Sequence, residues 1–243
     1  MKYLNPVDET ARALGFLTRL PIPNRFFETS APDQTNQCAG FYPVAGLIIG
    51  LFGAIVLAVS HMLGHAPFIV ATLAIFTCII LTGALHEDGL GDVADGFGGG
   101  TTLEKRLEIM KDSRLGTYGV LAVAGSLALK VGCLTAILQT SGAVAGSLAL
   151  LASASLSRGA MVWFWASLPA AKTSGVSSTV GQPPDNAVSL AAILGLASGI
   201  VLGLAATGFI ATCVAVLLSL GALLGFQRLC VRMIGGQTGD TLG

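Results

Sequence analysis

The sequence predicts an all-α, polytopic membrane helical bundle of about six transmembrane helices plus two amphipathic surface helices, and three observations carry that prediction. Only 11% of the 243 residues are charged and 53% are hydrophobic, whereas a soluble domain carries about 25% charged residues. Apolar runs recur at 43–60, 67–85, 118–138, 143–165, 187–206 and 209–227, each near the roughly 20 residues needed to cross a hydrocarbon core. Eleven of the thirteen Lys and Arg residues fall in alternate connections, as expected when short cytoplasmic loops retain positive charge.

The chain opens with NPVDETARALGFLTRLPIP, which predicts a surface helix. Asn5 can cap it, Pro6 suits the first helical position, and Asp8 and Glu9 favour the positive helix end. Val7, Ala11, Leu14 and Leu17 share one face and Asp8, Arg12 and Arg19 another, the pattern of a helix lying on a bilayer or capping a bundle. Pro21 ends it. Two spans follow, then an acidic stretch, then TTLEKRLEIMKDSRLG, in which Thr101 and Glu104 have capping-box spacing and Leu103, Leu107 and Met110 share a face. Residues 187–227 as one helix would measure roughly 60 Å, about two bilayer cores, so a turn is required near Thr207 and Gly208.

Lys2, Arg12, Arg19 and Arg25 precede the first span; Lys105, Arg106, Lys111 and Arg114 follow the second; Lys172 follows the fourth; Arg228 and Arg232 follow the sixth. Both termini are therefore expected in the cytoplasm. Small residues four apart, such as Gly46 and Gly50, Gly142 and Gly146, Gly195, Gly199 and Gly203, and Gly221 and Gly225, predict close helix packing. Residues 170–186 form a polar loop. One integral membrane domain over 1–243 accounts for the whole chain.

A net charge of zero excludes the excess of cations that nucleic acid binding requires. The five cysteines are scattered without CxxC spacing, against disulfides and structural zinc. Charges interrupt every candidate signal-peptide core in the first 40 residues.

The informative stretch is HEDGLGDVADG, residues 86–96, with four carboxylates in nine positions. If it is helical, Asp88, Asp92 and Asp95 lie at i, i+4 and i+7 on one face and Glu87 points elsewhere. Carboxylates about 6 Å apart repel by about 3 kcal/mol at an effective dielectric of 20, so an enclosed cluster needs a cation. Burying four such groups at mid-membrane would cost on the order of 10 to 14 kcal/mol, which puts the cluster at the cytoplasmic edge. Oxygen donors without His or Cys favour magnesium, manganese or calcium, and magnesium suits a few carboxylates sharing an ion with a bound pyrophosphate. The bland alternative is an acidic turn that ends a transmembrane helix. For His86 a single structural hydrogen bond competes with acid-base catalysis.

Other charges can complete such a site. Arg158 lies roughly 10 Å below the cytoplasmic end of its span, and either snorkels to headgroups or reaches inward to a carboxylate or substrate phosphate. Lys130 is over halfway through its span and requires a counter-ion. GGQTGDTLG, residues 235–243, returns to the same face, where its glycines permit a nest of backbone amides and Asp240 adds a carboxylate.

FLTRLPIP (16–23), HEDGLGDVADG (86–96), RLEIMKDSRLGTYG (106–119), SRG (157–159) and GGQTGDTLG (235–243) together resemble the cobalamin synthase, or adenosylcobinamide-GDP ribazoletransferase, family over nearly the whole chain. The family pattern HxDGxxDxxDG maps onto His86, Asp88, Asp92 and Asp95, with Glu87 at a variable place, and a Lys in the third span matches Lys130. Family members continue beyond this final glycine into a further helix, so the chain is expected to stop short of a last C-terminal element.

The resemblance implies a multi-pass, magnesium-dependent transferase of the cytoplasmic (inner) membrane whose site faces the cytoplasm. It joins adenosylcobinamide-GDP to alpha-ribazole or its 5′-phosphate and releases GMP. On this reading Asp88, Asp92 and Asp95 hold Mg2+ across the pyrophosphate, and Arg114 and Arg158 contact phosphate, with Gly235, Gly236 and Thr238 also binding substrate. Asp112 or Asp240 holds a metal-bound water or helps to deprotonate the ribazole hydroxyl. Expected partners are these two substrates and the lipid bilayer, no nucleic acid is expected, and a homo-oligomer is allowed. Two alternatives stay open: a CDP-alcohol phosphotransferase, whose DGxxAR signature lacks its Arg after Ala94, and an ion-coupled transporter with its site near mid-bilayer.

Overall fold

Two glycines in a backbone conformation that only glycine adopts readily set the connectivity of the bundle. Gly142 (φ 82°, ψ −178°) interrupts the helical run Thr117–Ser167, and Gly208 (φ 81°, ψ 177°) separates Asp185–Thr207 from Phe209–Ile234. An unbroken helix from Thr117 to Ser167 would be about 77 Å long, more than two bilayer cores. Instead a Cβ at Gly146 would lie 3.5 Å from Leu134, residues that a continuous helix would separate by about 18 Å. The run is therefore an antiparallel hairpin with arms 117–141 and 143–167. Gly203 likewise approaches Thr212 across the second glycine, at 3.0 Å from a built Cβ.

The computed structural model describes residues 5–28, 36–112, 114–171 and 181–242. Lys2, Lys172 and Gly243 lie outside the described residues. In chain order the helices are α1 Pro6–Leu17, α2 Arg25–Glu28, a 3-10 turn Gln37–Phe41, α3 Tyr42–Met62, α4 Pro67–Thr82, α5 Leu85–Gly99, α6 Leu103–Ile109, α7 Thr117–Ser167, α8 Asp185–Thr207, α9 Phe209–Ile234 and α10 Gly239–Leu242. No strand occurs among the described residues, only an isolated parallel bridge between Ala170 and Gln237. Four runs are long and apolar enough to cross a membrane, Gln37–Met62, Thr117–Ser167, Asp185–Thr207 and Phe209–Ile234, and α4 with α5 forms a fifth, bent candidate. With α7 read as two arms, six candidate crossing segments result among the described residues.

Small residues hold the central helices together, since lipid gives no hydrophobic drive between them. Gly46 abuts the Ala154 carbonyl, and Gly159 packs on Gly195, whose Cα would lie 3.2 Å from an added Cβ. Leu57, Val70, Ala71 and Ala74 close on Leu134, Leu138 and Leu150 at the far end. The predicted packing role of Gly221 and Gly225 is not realised among the described residues, because nothing lies within 4 Å of either added Cβ.

α1 begins as expected, with Asn5 Oδ1 accepting from the Val7 amide at 3.1 Å. It ends at Leu17, before Pro21, and its buried face carries Glu9, Ala13 and Leu17. Val7, on the apolar face, is exposed, whereas Glu9 turns inward and pairs with Arg12 at 2.7 Å. Burial outweighs Arg12 and pushes the Glu9 carboxyl above its ordinary range. α6 is capped by Thr102 rather than Thr101: the Thr102 hydroxyl accepts from the Lys105 amide at 3.2 Å.

Gly142→Ala is expected to lower the thermal midpoint of the detergent-purified chain, the forced φ costing about 1–3 kcal/mol. Gly125→Ala, a helical glycine with open space around its Cβ position, should leave the midpoint unchanged or raise it.

Candidate active site

The acidic stretch is a helix, but not a continuation of the span before it. The predicted span 67–85 stops at Thr82, and α5 leaves α4 at 86°. Gly83 (φ 63°) and Ala84 (φ 59°) both take left-handed backbone to make the elbow. The carbonyls released there find donors, as a bend near lipid requires. Ile79 O accepts from the Ala84 amide at 2.9 Å, and Leu81 O from the Arg19 amide at 2.8 Å. The FLTR segment is thus a strap across the elbow, and the Arg19 side chain fills the space beside Gly83.

On α5 the charged residues divide between opposite faces. Asp88, Asp92 and Asp95 share one face, where burial increases along the helix: Asp88 is exposed, Asp92 half-buried and Asp95 buried. Asp95 accepts from the Gly116 amide at 2.6 Å and the Gly119 amide at 2.9 Å, capping the start of α7. Both glycines press on its carboxylate, and an added Cβ on Gly116 would lie 2.5 Å from it. The glycines of α5 serve close approach. Gly98 faces the Tyr118 ring, Gly96 faces Met110, and Gly89 faces the Asp240 carbonyl.

The C-terminal segment reaches α5 through its own network. Gly235 (φ 72°) ends α9, the Gln237 amide donates to Pro169 O at 2.9 Å, and the Ala171 amide donates to Gln237 O at 2.8 Å. The Thr238 amide donates to Thr241 Oγ1 at 2.8 Å, and Thr238 Oγ1 donates to Asp240 Oδ2 at 3.3 Å. Gly236 and Thr238 are buried, so the expected open nest of amides is corrected to a segment tied into the fold, with Gly235 and Gly239 exposed. Arg106 braces the same region, donating from Nη1 to Met233 O at 3.0 Å and from Nε to Gly100 O at 3.1 Å.

The opposite face of α5 carries His86 and Glu87. Glu87 takes the Lys130 ammonium at 2.9 Å, which supplies the counter-ion that Lys130 required. Arg158 Nη2 lies 2.8 Å from His86 Nε2. A guanidinium only donates, so the imidazole accepts at Nε2 and carries its proton on Nδ1. Arg158 therefore does not join the aspartates, as one expectation had it, because α5 stands between them.

Among the described residues no three His, Cys, Asp or Glu side chains gather as a metal site. The expected three-aspartate set is thus not assembled, since Asp95 turns its carboxylate to the α7 amides while Asp88 and Asp92 remain one turn apart. On the loop before α7, exposed Arg114 and half-buried Asp112 pair at 2.6 Å. The Arg114 side-chain and backbone hydrogen bonds hold the Asp112 carboxyl down at about 2.

The family described as cobalamin-5-phosphate synthase matches residues 9–243. The chain belongs to that family. It is similar to the adenosylcobinamide-GDP ribazoletransferases of Brucella anthropi, 44% identical over 98% of this chain and 91% of the relative, and of Azorhizobium caulinodans, 44% identical over 100% and 92%. That of Brucella ovis is 42% identical over 98% of this chain and 91% of the relative. No solved structure matches.

In this chain of the cobalamin-5-phosphate synthase family, further residues shape the candidate site. Glu87 points off the aspartate face, and that orientation, with a lone Lys130 too deep to escape, is the sequence signal for their pair. Arg19, Arg106, Gly116 and Gly119 gave no local signal, for their partners are distant in sequence.

Asp95→Ala is expected to destabilise the chain by about 1–2 kcal/mol by uncapping α7, whereas exposed Asp88→Ala should shift the thermal midpoint little. Lys130→Met alone, leaving the buried Glu87 carboxylate with no cation, should lower the thermal midpoint, and adding Glu87→Gln should recover most of the loss.

Proposed function

We propose that the protein joins adenosylcobinamide-GDP to alpha-ribazole, or to its 5′-phosphate, with release of GMP, on the cytoplasmic side of the inner membrane and with magnesium. The relatives bear the name of this transferase. The observation that supports the same chemistry here is the single aspartate face of α5, exposed at Asp88 and half-buried at Asp92. The bonds exchanged are few: an acceptor hydroxyl oxygen attacks the phosphorus linked to cobinamide, the P–O bond to GMP breaks, and the hydroxyl proton passes to a base.

The donor set fits a hard dication. Asp88 and Asp92 offer only carboxylate oxygens one helical turn apart, and magnesium takes one or two carboxylates with water and substrate phosphate. These two residues would hold it, and when bound it supplies charge neutralisation on the pyrophosphate. Asp95 acts as a positioning residue by fixing α5 to the start of α7.

Arg114 presents a planar fork suited to phosphate oxygens, and Asp112 orients it at 2.6 Å. A carboxyl held at about 2 is a weak base at neutral pH. Asp240, carried by α10 against Gly89 of α5, is the better placed carboxylate to receive the hydroxyl proton. The cytoplasmic placement rests on the one-sided Lys and Arg distribution.

GMP release from adenosylcobinamide-GDP and alpha-ribazole 5′-phosphate, followed in nanodiscs, tests this reading. Asp92→Asn should lower the rate by about 100-fold or more, chelation should abolish it and added magnesium restore it, while Asp112→Asn should cost less than about tenfold. Full activity in Asp92→Asn, or in chelator, would contradict the assignment.

A further inference from the structure

The face of α5 turned away from the aspartates borders a cavity of about 830 Å³, which the reaction above touches only through Asp240 at one end. The cavity runs between both arms of α7, α8 and α9, from Thr207 and Thr212 at the glycine turn to Asp240 at the other end. Small and apolar side chains such as Ala152, Leu156, Ala215 and Leu223 form most of its wall. α9 touches the bundle chiefly near its ends: only Thr212, Cys230 and Ile234 are buried along its 26 residues. Between those anchors the wall is open to an occupant.

His86, Glu87, Lys130 and Arg158 project into this apolar space where α5 crosses it. Their charges do not cancel. Glu87 and Lys130 form one ion pair, and Arg158 faces an imidazole and the Ser157 hydroxyl, with no carboxylate in salt-bridge range among the described residues. Arg158 Nε and Glu87 Oε2 are buried without a hydrogen-bond partner among the described residues. Buried polar atoms left unpaired are unfavourable, and ionisable groups at membrane depth mark ligand or ion pathways with an identifiable partner. Asp240 supplies a second carboxylate at the other end of the cavity, so the unmatched positive charge is local to Arg158, in an apolar chamber whose size falls in the range that holds a small ligand.

We propose that this cavity is a second binding site, on the opposite side of α5 from the aspartates, for an anionic amphiphile. Its apolar or flat aromatic body lies between the α7 arms and α9, and its single phosphate is held by the Arg158 fork. That chemistry has two sources: a phospholipid of the bilayer with an anionic headgroup, or alpha-ribazole 5′-phosphate entering past Asp240. The second source rests on the reaction proposed above. Binding measured without GDP substrate and without metal keeps a failure of that reaction distinct from a failure of this site.

The test uses the full chain in phosphatidylcholine nanodiscs. Titration calorimetry compares alpha-ribazole 5′-phosphate with alpha-ribazole, and native mass spectrometry compares retained phosphatidylglycerol with phosphatidylcholine. At least one phosphate ligand should bind about tenfold more tightly than its comparator, a difference of about 1.4 kcal/mol. Arg158→Gln should remove that preference, Arg158→Lys should keep part of it, and Asp92→Asn should leave it intact. Ala222→Trp, at an exposed cavity-lining position, should block the ligand without disturbing packed backbone. A preference confined to the ribazole pair assigns the acceptor, and one confined to the lipid pair assigns the bilayer. If neither ligand is preferred, or if both preferences survive Arg158→Gln and Ala222→Trp within about twofold, the proposal is overturned.

Discussion

Backbone hydrogen bonding near lipid is the constraint on which the rest of this fold depends. A helix that turns through 86° at the membrane edge must find partners for the groups it frees. The elbow at Gly83 and Ala84 does so with its own amides and with one borrowed from Arg19, at 2.8 Å from Leu81 O. At the other end of α5, Asp95 receives the free amides of the α7 start. With both ends tied, α5 is held across the bundle, and its two faces meet different surroundings.

That transverse placement explains how one short segment carries so many charges. The aspartates face the side where Asp88 is exposed, which relieves their mutual repulsion by solvent screening. His86 and Glu87 face the bundle, where Lys130 and Arg158 meet them. The glycines between them let α6, α7 and α10 approach the α5 backbone. A phosphoryl-transfer surface and an apolar chamber that holds Arg158 can thus share one helix, with Asp240 adjoining Gly89 on one side and the chamber on the other.

Much of the helical layout was legible because lipid restricts the choices. Apolar length marked the spans, and the over-long run after Ala187 demanded the turn found at Gly208. The elbow was hidden because the residues from Pro67 to Leu85 read as one apolar run, and only the Arg19 strap and the left-handed pair at 83 and 84 decide otherwise. The aspartate face was readable from its helical spacing. The use of Asp95 was not, because its donors lie 21 and 24 residues downstream and become neighbours only in the folded bundle. For Arg158 the sequence leaves headgroups, a carboxylate and a substrate phosphate all open, since nothing in a linear sequence shows that α5 separates it from the aspartates.

The two-faced disposition of α5 is tested most directly by labelling. Single cysteines would replace Asp88 and Leu90 in a chain whose five native cysteines are substituted, and a membrane-impermeant maleimide would be applied to inverted vesicles. The account predicts rapid reaction at position 88 and slow reaction at position 90, which lines the chamber. Equal rates at the two positions, or faster reaction at 90, would contradict it.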